Sequence, residues 1–248
     1  MANPPFAHLA IILVRPQHSG NIGGVARAIA NHGLGQLRLV DPPALDPDRA
    51  RWMAPHARHL INSAQFFPSV PASLTDSSFV IGATARQRKW NIPSWNIQQL
   101  CQHISTNRRT ALLFGPEDSG LSNDDIQHCH AVITLPTYEH QSLNLSQAVN
   151  VIGGHLQASL PEEPPEALPA IDKHLTMKLQ QQLLQTSLDV LRRTAYLKGR
   201  NEYQVHNQLL QLIERVDLQH EEAAYLKGML NKVYHGFRVL GERLQEKK

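Results

Sequence analysis

Short apolar runs alternate with segments of helical periodicity through the first 160 residues of the chain. Five apolar runs predict buried strands, at residues 8–14, 37–40, 79–84, 110–114 and 131–135. Hydrophobic positions recur at helical spacing between and after them, in residues 22–33, 49–61, 123–128 and 143–160. Short buried strands separated by helices are typical of α/β proteins, so the pattern predicts a parallel sheet covered by helices.

The first helix carries the clearest end signals. Asn21 stands directly before the periodic segment, where an N-cap side chain is expected, and Gly33 follows it as a stop. The pattern therefore predicts a helix that Asn21 caps and Gly33 ends.

A composition change divides the chain near residue 161. Residues 161–170 read PEEPPEALPA, and this proline- and glutamate-rich run cannot continue a helix. Beyond it the periodicity is helical throughout, in residues 171–193, 202–215 and 220–244. We expect an α/β domain over 1–160, a linker over 161–170 and a small all-helical C-terminal extension over 171–248.

Charge is unevenly distributed between these parts. The formal net charge is +3, and residues from 171 onward hold 13 Lys and Arg against 9 Asp and Glu. A basic C-terminal third favours a polyanionic partner, although solvated helix faces would give the same count.

The two cysteines do not form a C-x-x-C pair, and neither a signal peptide nor a membrane-length apolar run is present, which predicts a soluble cytoplasmic protein.

Three loops follow predicted strands at the sheet edge where α/β proteins bind ligands. They occupy residues 19–27, 114–122 and 135–145. The first lacks the spacing of both the dinucleotide and the P-loop fingerprints. Each loop taken singly has a purely structural explanation. The glycines of the first loop would allow close helix packing, and Ser142 and Asn144 of the third loop would cap the helix that follows.

Taken together and in this order, the loops resemble the SPOUT-class (TrmH/SpoU superfamily) RNA 2′-O-ribose methyltransferases, and among them the TrmJ-like tRNA enzymes. The matching motifs are N-x-G-x-x-A-R from Asn21 to Arg27, F-G-x-E-x-x-G-L-[ST]-N from Phe114, and L-P followed by S-L-N-L-[SA]-x-A-V from Leu135. The resemblance implies a SPOUT-type parallel sheet with a trefoil knot at the C-terminal end of the α/β domain, and a homodimer. The knot is implied by the family alone, because knots are nearly absent from other folds.

The resemblance further implies S-adenosylmethionine as cofactor and transfer of its methyl group to a ribose 2′-hydroxyl of tRNA, in the anticodon loop. The cofactor contacts that it implies fall on small, apolar and polar residues at the end of the third apolar run and in the second and third loops: Ala83, Thr84, Ala85, Gly115, Leu135, Gln141, Ser142 and Leu143.

Five residues are candidates for catalysis on the same resemblance: Arg27, Asn21, Glu117, Ser142 and Asn144. A guanidinium is costly to deprotonate, so Arg27 is expected to hydrogen-bond the ribose oxygen or a phosphate rather than to act as a base. Glu117 is expected to fix its loop by accepting backbone N–H bonds.

The second loop departs from the family pattern at one position. Pro116 stands where the TrmJ-like enzymes usually have Arg, so a donor that reaches phosphate is missing and the choice of substrate within the family stays open.

Two basic groups are candidates for RNA contact. Arg86, Arg88 and Lys89 combine charge with an adjacent tryptophan, and Arg192 and Arg193 form a second group in the helical part. A solvated loop explains the first group equally well.

No metal site is expected, because the histidines and cysteine of 128–130 are adjacent and do not converge on one ion.

Rival functions remain open at this point. The same chemistry on rRNA or at another tRNA position is the nearest rival, and a non-catalytic RNA-binding protein is a rival of a different class. A NAD-dependent dehydrogenase is disfavoured by the glycine spacing.

Overall fold

A computed structural model describes residues 4–85, 92–104, 108–139, 142–160, 174–216 and 218–245 of the chain. It divides into two compact units, residues 1–172 and 173–248. The first unit is built on a seven-stranded sheet in the order β3-β2-β1-β6-β4-β7-β5, and every strand pair is parallel. The prediction of a parallel α/β fold is confirmed.

The strands of the sheet are β1 (Phe6–Val14), β2 (Leu34–Val40), β3 (Gln65–Phe67), β4 (Phe79–Ala83), β5 (Ser94–Trp95), β6 (Thr110–Phe114) and β7 (Ala131–Ile133). The central strands are buried on both faces, as parallel strands under helices must be, and this is why they appear as continuous apolar runs. The two short strands β3 and β5 were not predicted, because two or three residues carry no recognisable periodicity.

The helices of the first unit are α1 (Ser19–His32), α2 (Pro47–Met53), α3 (Arg58–Asn62), α4 (Val70–Ser73), α5 (Ile97–Ile104), α6 (Asn123–Ile126) and α7 (Leu145–Ala158). Helices α1 and α7 pack against each other, with Gly24 facing Ser146 and Gly153 facing the ring of His32. Their buried residues and the inner strands form one continuous hydrophobic core.

The start of α1 differs from the prediction. The helix begins at Ser19, with His18 rather than Asn21 as the N-cap residue, and His18 makes no side-chain capping bond. Asn21 therefore lies in the first turn, where its amide is free to bond across to other loops. The predicted end is confirmed, since Gly33 adopts a left-handed conformation (φ 62°) and its N–H bonds to the carbonyl of Ile29.

The single helix predicted over 49–61 is also wrong, because the structure has two short helices there. Helix α2 ends at Met53 and α3 starts at Arg58. Pro55 lacks a backbone N–H and disfavours helical geometry at Ala54, which adopts φ −130° and ψ 57°. The apolar periodicity continues across this break, which explains the error.

The second unit consists of helices in the part of the chain that the structure describes. These are α8 (Met177–Arg193), α9 (Glu202–Val216) and α10 (His220–Gln245). Leucines of α8 form its core together with residues of α9 and α10 such as Val205, Ile213 and Ala223. In the described ranges of both units, no helix is long and apolar enough to cross a membrane.

Candidate active site

The carboxyl ends of the central strands meet at one edge of the sheet. Phe114 at the end of β6 is level with Leu13 of β1 and with Ala83 of β4, and Ala83 is level with Ile133 of β7. The loops that follow these four strands are therefore brought together, as the sequence predicts for a parallel sheet.

A cavity of about 330 Å³ opens between three of these loops. The loop after β4, the loop after β6 and the segment between β7 and α7 supply its walls. Among its lining residues are seven of the eight predicted cofactor contacts, namely Ala83, Thr84, Ala85, Gly115, Leu135, Ser142 and Leu143. The eighth, Gln141, lies outside the described residues.

The loop after β6 folds tightly back on itself. A Cβ atom on Gly115 would overlap the backbone of Gly120 and Leu121, so only glycine fits at this position. Gly120 takes a left-handed conformation (φ 68°) at the turn. The loop then enters α6 through a capping box between Ser122 and Asp125, which holds the far end of the loop in place.

A chain of hydrogen bonds joins this loop to α1 and to α7. Glu117 accepts the Nδ2–H of Asn21 at 2.7 Å and the backbone N–H of Gln17 and His18 at 2.9 and 3.3 Å. Asn144 in turn donates through Nδ2 to Oδ1 of Asn21 at 3.0 Å. Three of the predicted catalytic residues are thus bonded in series, at the junction of three segments that are far apart in sequence.

The carboxylate of Glu117 is held in its charged form. Partial burial raises its pKa, but the bonds donated by Asn21, Gln17 and His18 outweigh burial, and the pKa lies below its ordinary value. A carboxylate that is a weak base and already accepts three donors suits positioning better than proton abstraction.

Asn144 has a second role as the N-cap of α7. Its Oδ1 accepts the N–H and the Oγ–H of Ser146 at 3.0 and 2.7 Å, and Gln147 completes a capping box. One side chain thereby fixes the start of α7 and holds Asn21.

Arg27 lies on α1, away from the lining of the cavity. Its side chain is exposed, two turns after the start of the helix that Glu117 holds. In one chain the structure brings Asn21, Glu117 and Asn144 together and leaves Arg27 outside this group.

The predicted RNA-binding residues are placed only in part. Arg86, Arg88 and Lys89 lie outside the described residues. Arg192 is engaged by Asp189 and Glu202, so its charge is largely compensated. Arg193 stacks on the ring of Tyr234, with its guanidinium carbon 4.3 Å from the ring centroid.

Several lining residues were not predicted from the sequence. Asp118, Ser119 and Thr137 line the cavity beside the predicted contacts, and their only sequence signal is adjacency to the three motifs. Within the described ranges, no group of three or more His, Cys, Asp or Glu is arranged to hold a metal ion.

Comparison with known proteins identifies the class. The model of the SpoU rRNA Methylase family matches residues 8–153, the unit that carries the sheet and the cavity. The chain belongs to the SpoU rRNA Methylase family, and the predicted resemblance to it is confirmed.

Within this class the chain is similar to proteins named TrmJ. It is 31% identical over 240 residues to the tRNA (cytidine/uridine-2′-O-)-methyltransferase TrmJ of Pectobacterium atrosepticum, covering 91% of this chain and 96% of the relative. The crystal structure of TrmJ from Z. mobilis ZM4 matches with a TM-score of 0.71 and 30% identity, covering 90% of this chain and 98% of that one. A probable methylase family protein from Haemophilus influenzae Rd KW20 matches with a TM-score of 0.60 and 26% identity, over 97% and 99%.

Proposed function

We propose that this protein is an S-adenosylmethionine-dependent methyltransferase that methylates a ribose 2′-hydroxyl of tRNA. Family membership, and the full-length similarity to a relative named for the same reaction, support the activity and the substrate. The observation that carries the proposal is the cavity formed by the loop after β4 and the second and third motif loops, next to the bonded residues Asn21, Glu117 and Asn144.

The cavity fits S-adenosylmethionine in size and chemistry. Its volume of about 330 Å³ lies in the range of small-molecule pockets. Apolar side chains such as Leu135 and Leu143 would enclose the adenosine, and the loop at Gly115 leaves its backbone open to contact. Glu117 and Asp118 supply negative charge suited to a cationic ligand. When bound, the cofactor supplies a methyl group already activated as a sulfonium.

The remaining work falls to the residues around the cavity. Asn21 and Asn144 would orient the ribose at the mouth of the site, because their amides are already fixed by Glu117 and by the start of α7. Ser142 would hydrogen-bond the cofactor or the ribose from the cavity wall. Arg27 would donate to the ribose oxygen or an adjacent phosphate and stabilise the negative charge that develops as the hydroxyl loses its proton.

We further propose that two copies of the chain pair through the surface formed by α1 and α7. The exposed Arg27 of α1 and Val151 of α7, which is 36% exposed, lie on this pair of helices. Because one chain alone leaves Arg27 outside the cavity lining, a second copy paired through this surface would complete the site. The trefoil knot is proposed at the C-terminal end of the α/β domain, and the insertion of β6 between β1 and β4 supports it.

The reaction is tested directly with the purified chain, labelled S-adenosylmethionine and unmodified tRNA or rRNA. We expect a 2′-O-methylated nucleoside in tRNA, located in the anticodon loop by nuclease mapping and mass spectrometry. Methylation of a base, or of rRNA alone, would contradict the proposal.

Replacement of the arginine tests the catalytic assignment. Arg27→Ala is expected to lower kcat by roughly a hundredfold or more, the usual effect of removing one donor to a developing oxyanion. Cofactor affinity, measured by calorimetry, should change less than about twofold, because Arg27 does not line the cavity. Arg27→Lys keeps the charge and is expected to retain part of the activity. An Arg27→Ala enzyme with an unchanged rate would remove Arg27 from the mechanism.

A further inference from the structure

Trp52 is unusually exposed for a tryptophan in an ordered helix. It exposes 76% of its surface, whereas Ala50 on the same helix exposes 3%. Helix α2 does not fray at its start, because Asp46 accepts the backbone N–H of Asp48 and Arg49 as a capping side chain. A large aromatic ring held in water on a fixed helix is typical of a contact surface.

Helix α2 is attached rigidly to the helix of the proposed active site. A Cβ atom on Gly23 of α1 would overlap the carbonyl of Ala50 and the side chain of Met53, so the two helices are in close contact. Ser19 Oγ also accepts the N–H of Asp46 at 2.9 Å. Arg27 follows Gly23 by four residues on the same face of α1, about 6 Å further along the axis.

Two exposed arginines flank Trp52 in the sequence, Arg49 three residues before it and Arg58 six residues after it. Arg49 and Arg58 are exposed and form no ion pair with any acid in the described ranges of the chain. Arg51, in contrast, is engaged by Asp48 at 3.1 Å and by Asn62 at 3.2 Å. Proteins hold single-stranded nucleic acid by combining exposed arginines with an exposed aromatic ring, and this segment of the chain carries both.

We propose that Trp52 stacks on an unpaired base of the RNA substrate while Arg49 and Arg58 contact its phosphates. This surface comprises α2 and the start of α3, and it rests on the proposed function for the identity of the RNA. It would bring the RNA strand to the helix that packs on α1, which carries Arg27. It would also supply cationic contacts in a chain that has Pro116 in the loop after β6.

Binding and turnover of full-length variants test this surface. Unmodified tRNA transcript is the probe, with Kd measured in the absence of cofactor and kcat and KM in its presence. Trp52→Ala is expected to raise Kd and KM for tRNA roughly tenfold, as loss of one base stack does, and to leave kcat and cofactor affinity within about twofold. Trp52→Phe should restore most of the affinity, because the ring face is kept.

The arginines give an independent readout. Arg49→Gln and Arg58→Gln are each expected to reduce the slope of log Kd against log salt by about one, as loss of a phosphate contact does. Phe66→Ala is the matched control, since Phe66 is also exposed, at 64%, but lies on the edge strand β3. It should leave Kd unchanged.

Three outcomes overturn the proposal. One is an unchanged Kd in Trp52→Ala together with unchanged salt slopes in the arginine variants. Another is an equal loss of affinity in the Phe66 control. The third is a loss of self-association in Trp52→Ala with no effect on RNA affinity, which would assign the ring to a second copy of the chain. Failure of the proposed function is distinct, because wild-type protein would then bind tRNA through Trp52 without methylating it.

Discussion

Glu117 holds, with one carboxylate, the two residues that lead into α1. His18 makes no side-chain capping bond, and the free N–H groups of Gln17 and His18 are taken up by Glu117 from a loop about 100 residues later in the chain. A negative charge at a helix N-terminus is also favoured by the helix dipole. The motif glutamate therefore has a structural reason that is independent of proton transfer.

Glu117→Gln is expected to lower the free energy of unfolding at pH 7 by about 1 kcal/mol, because an amide NH2 group replaces one of the two oxygens that accept bonds from three donors. The effect is small because the site is partly exposed to solvent. The pKa of Glu117 is lowered on folding, so its contribution is present above the ordinary carboxyl pKa and is lost as pH falls through the lowered pKa. The difference in stability between wild type and variant should therefore shrink as the pH is lowered into the acid range.

Denaturant unfolding at pH 7 and pH 3 measures this difference. Glu139→Gln is the matched control, because Glu139 is exposed and makes no side-chain bond within the described part of the chain. An equal loss of stability in both variants at pH 7 would show that the bonds to α1 are not the cause.

At the scale of elements, the amino ends of the strands hold a cluster opposite to the cavity. Phe79 at the start of β4 stacks on Trp95 of β5 and on His130, with ring centroids 5.3 and 4.6 Å apart. His130 Nδ1 accepts the N–H of Val80 at 3.0 Å. Burial, reinforced by the positive charges of Arg108 and His103, lowers the pKa of His130 to about 4.

This buried histidine predicts acid sensitivity of the sheet. The unfolded chain binds a proton at His130 near pH 6.5 and the folded chain only near pH 4, so stability falls as pH drops between these values. The loss is at most about 3 kcal/mol. In His130→Asn, where the amide oxygen can still accept the Val80 N–H, this part of the pH dependence should disappear.

Unfolding free energies at intervals between pH 7 and pH 4 test the prediction. The free energy of unfolding of His130→Asn is expected to be lower at every pH because the ring stack is lost. The decisive quantity is therefore the slope of the unfolding free energy against pH. His59→Asn, at an exposed position on α3, should keep the wild-type slope. A wild-type slope in His130→Asn would mean that other groups cause the acid sensitivity.

At the scale of the whole molecule, the proposed pairing through α1 and α7 is open to a simple measurement. Light scattering is expected to give twice the mass of one chain. Val151→Glu places a charge in the pairing surface and should yield single chains with little methylation, because Arg27 would no longer complete a site. Gln181→Glu, an exposed change on α8, should leave both mass and activity unchanged. Active single chains would contradict the pairing.

The sequence alone determined the class of fold, the positions of the main strands along the chain and two of the three loops that line the cavity. Buried parallel strands must be apolar throughout, so they appear as apolar runs in the sequence. The motifs at Asn21, Gly115 and Ser142 combine residue types that the fold of the loops and the methyl-transfer reaction both require. These are local constraints, so they are visible in a linear pattern. The family membership that the motifs indicated is confirmed by the comparisons.

Only the tertiary structure decided which side chains meet. The bonds of Glu117 to α1 and of Asn144 to Asn21 join segments about 100 and 123 residues apart, and no periodicity encodes such a pairing. The same holds for the start of α1 at Ser19, because the bonds of Glu117 to Gln17 and His18 come from a loop far away in the sequence. Exposure is likewise a property of packing: nothing in the apolar pattern distinguishes Trp52, which remains in water, from Ala50, which α1 covers.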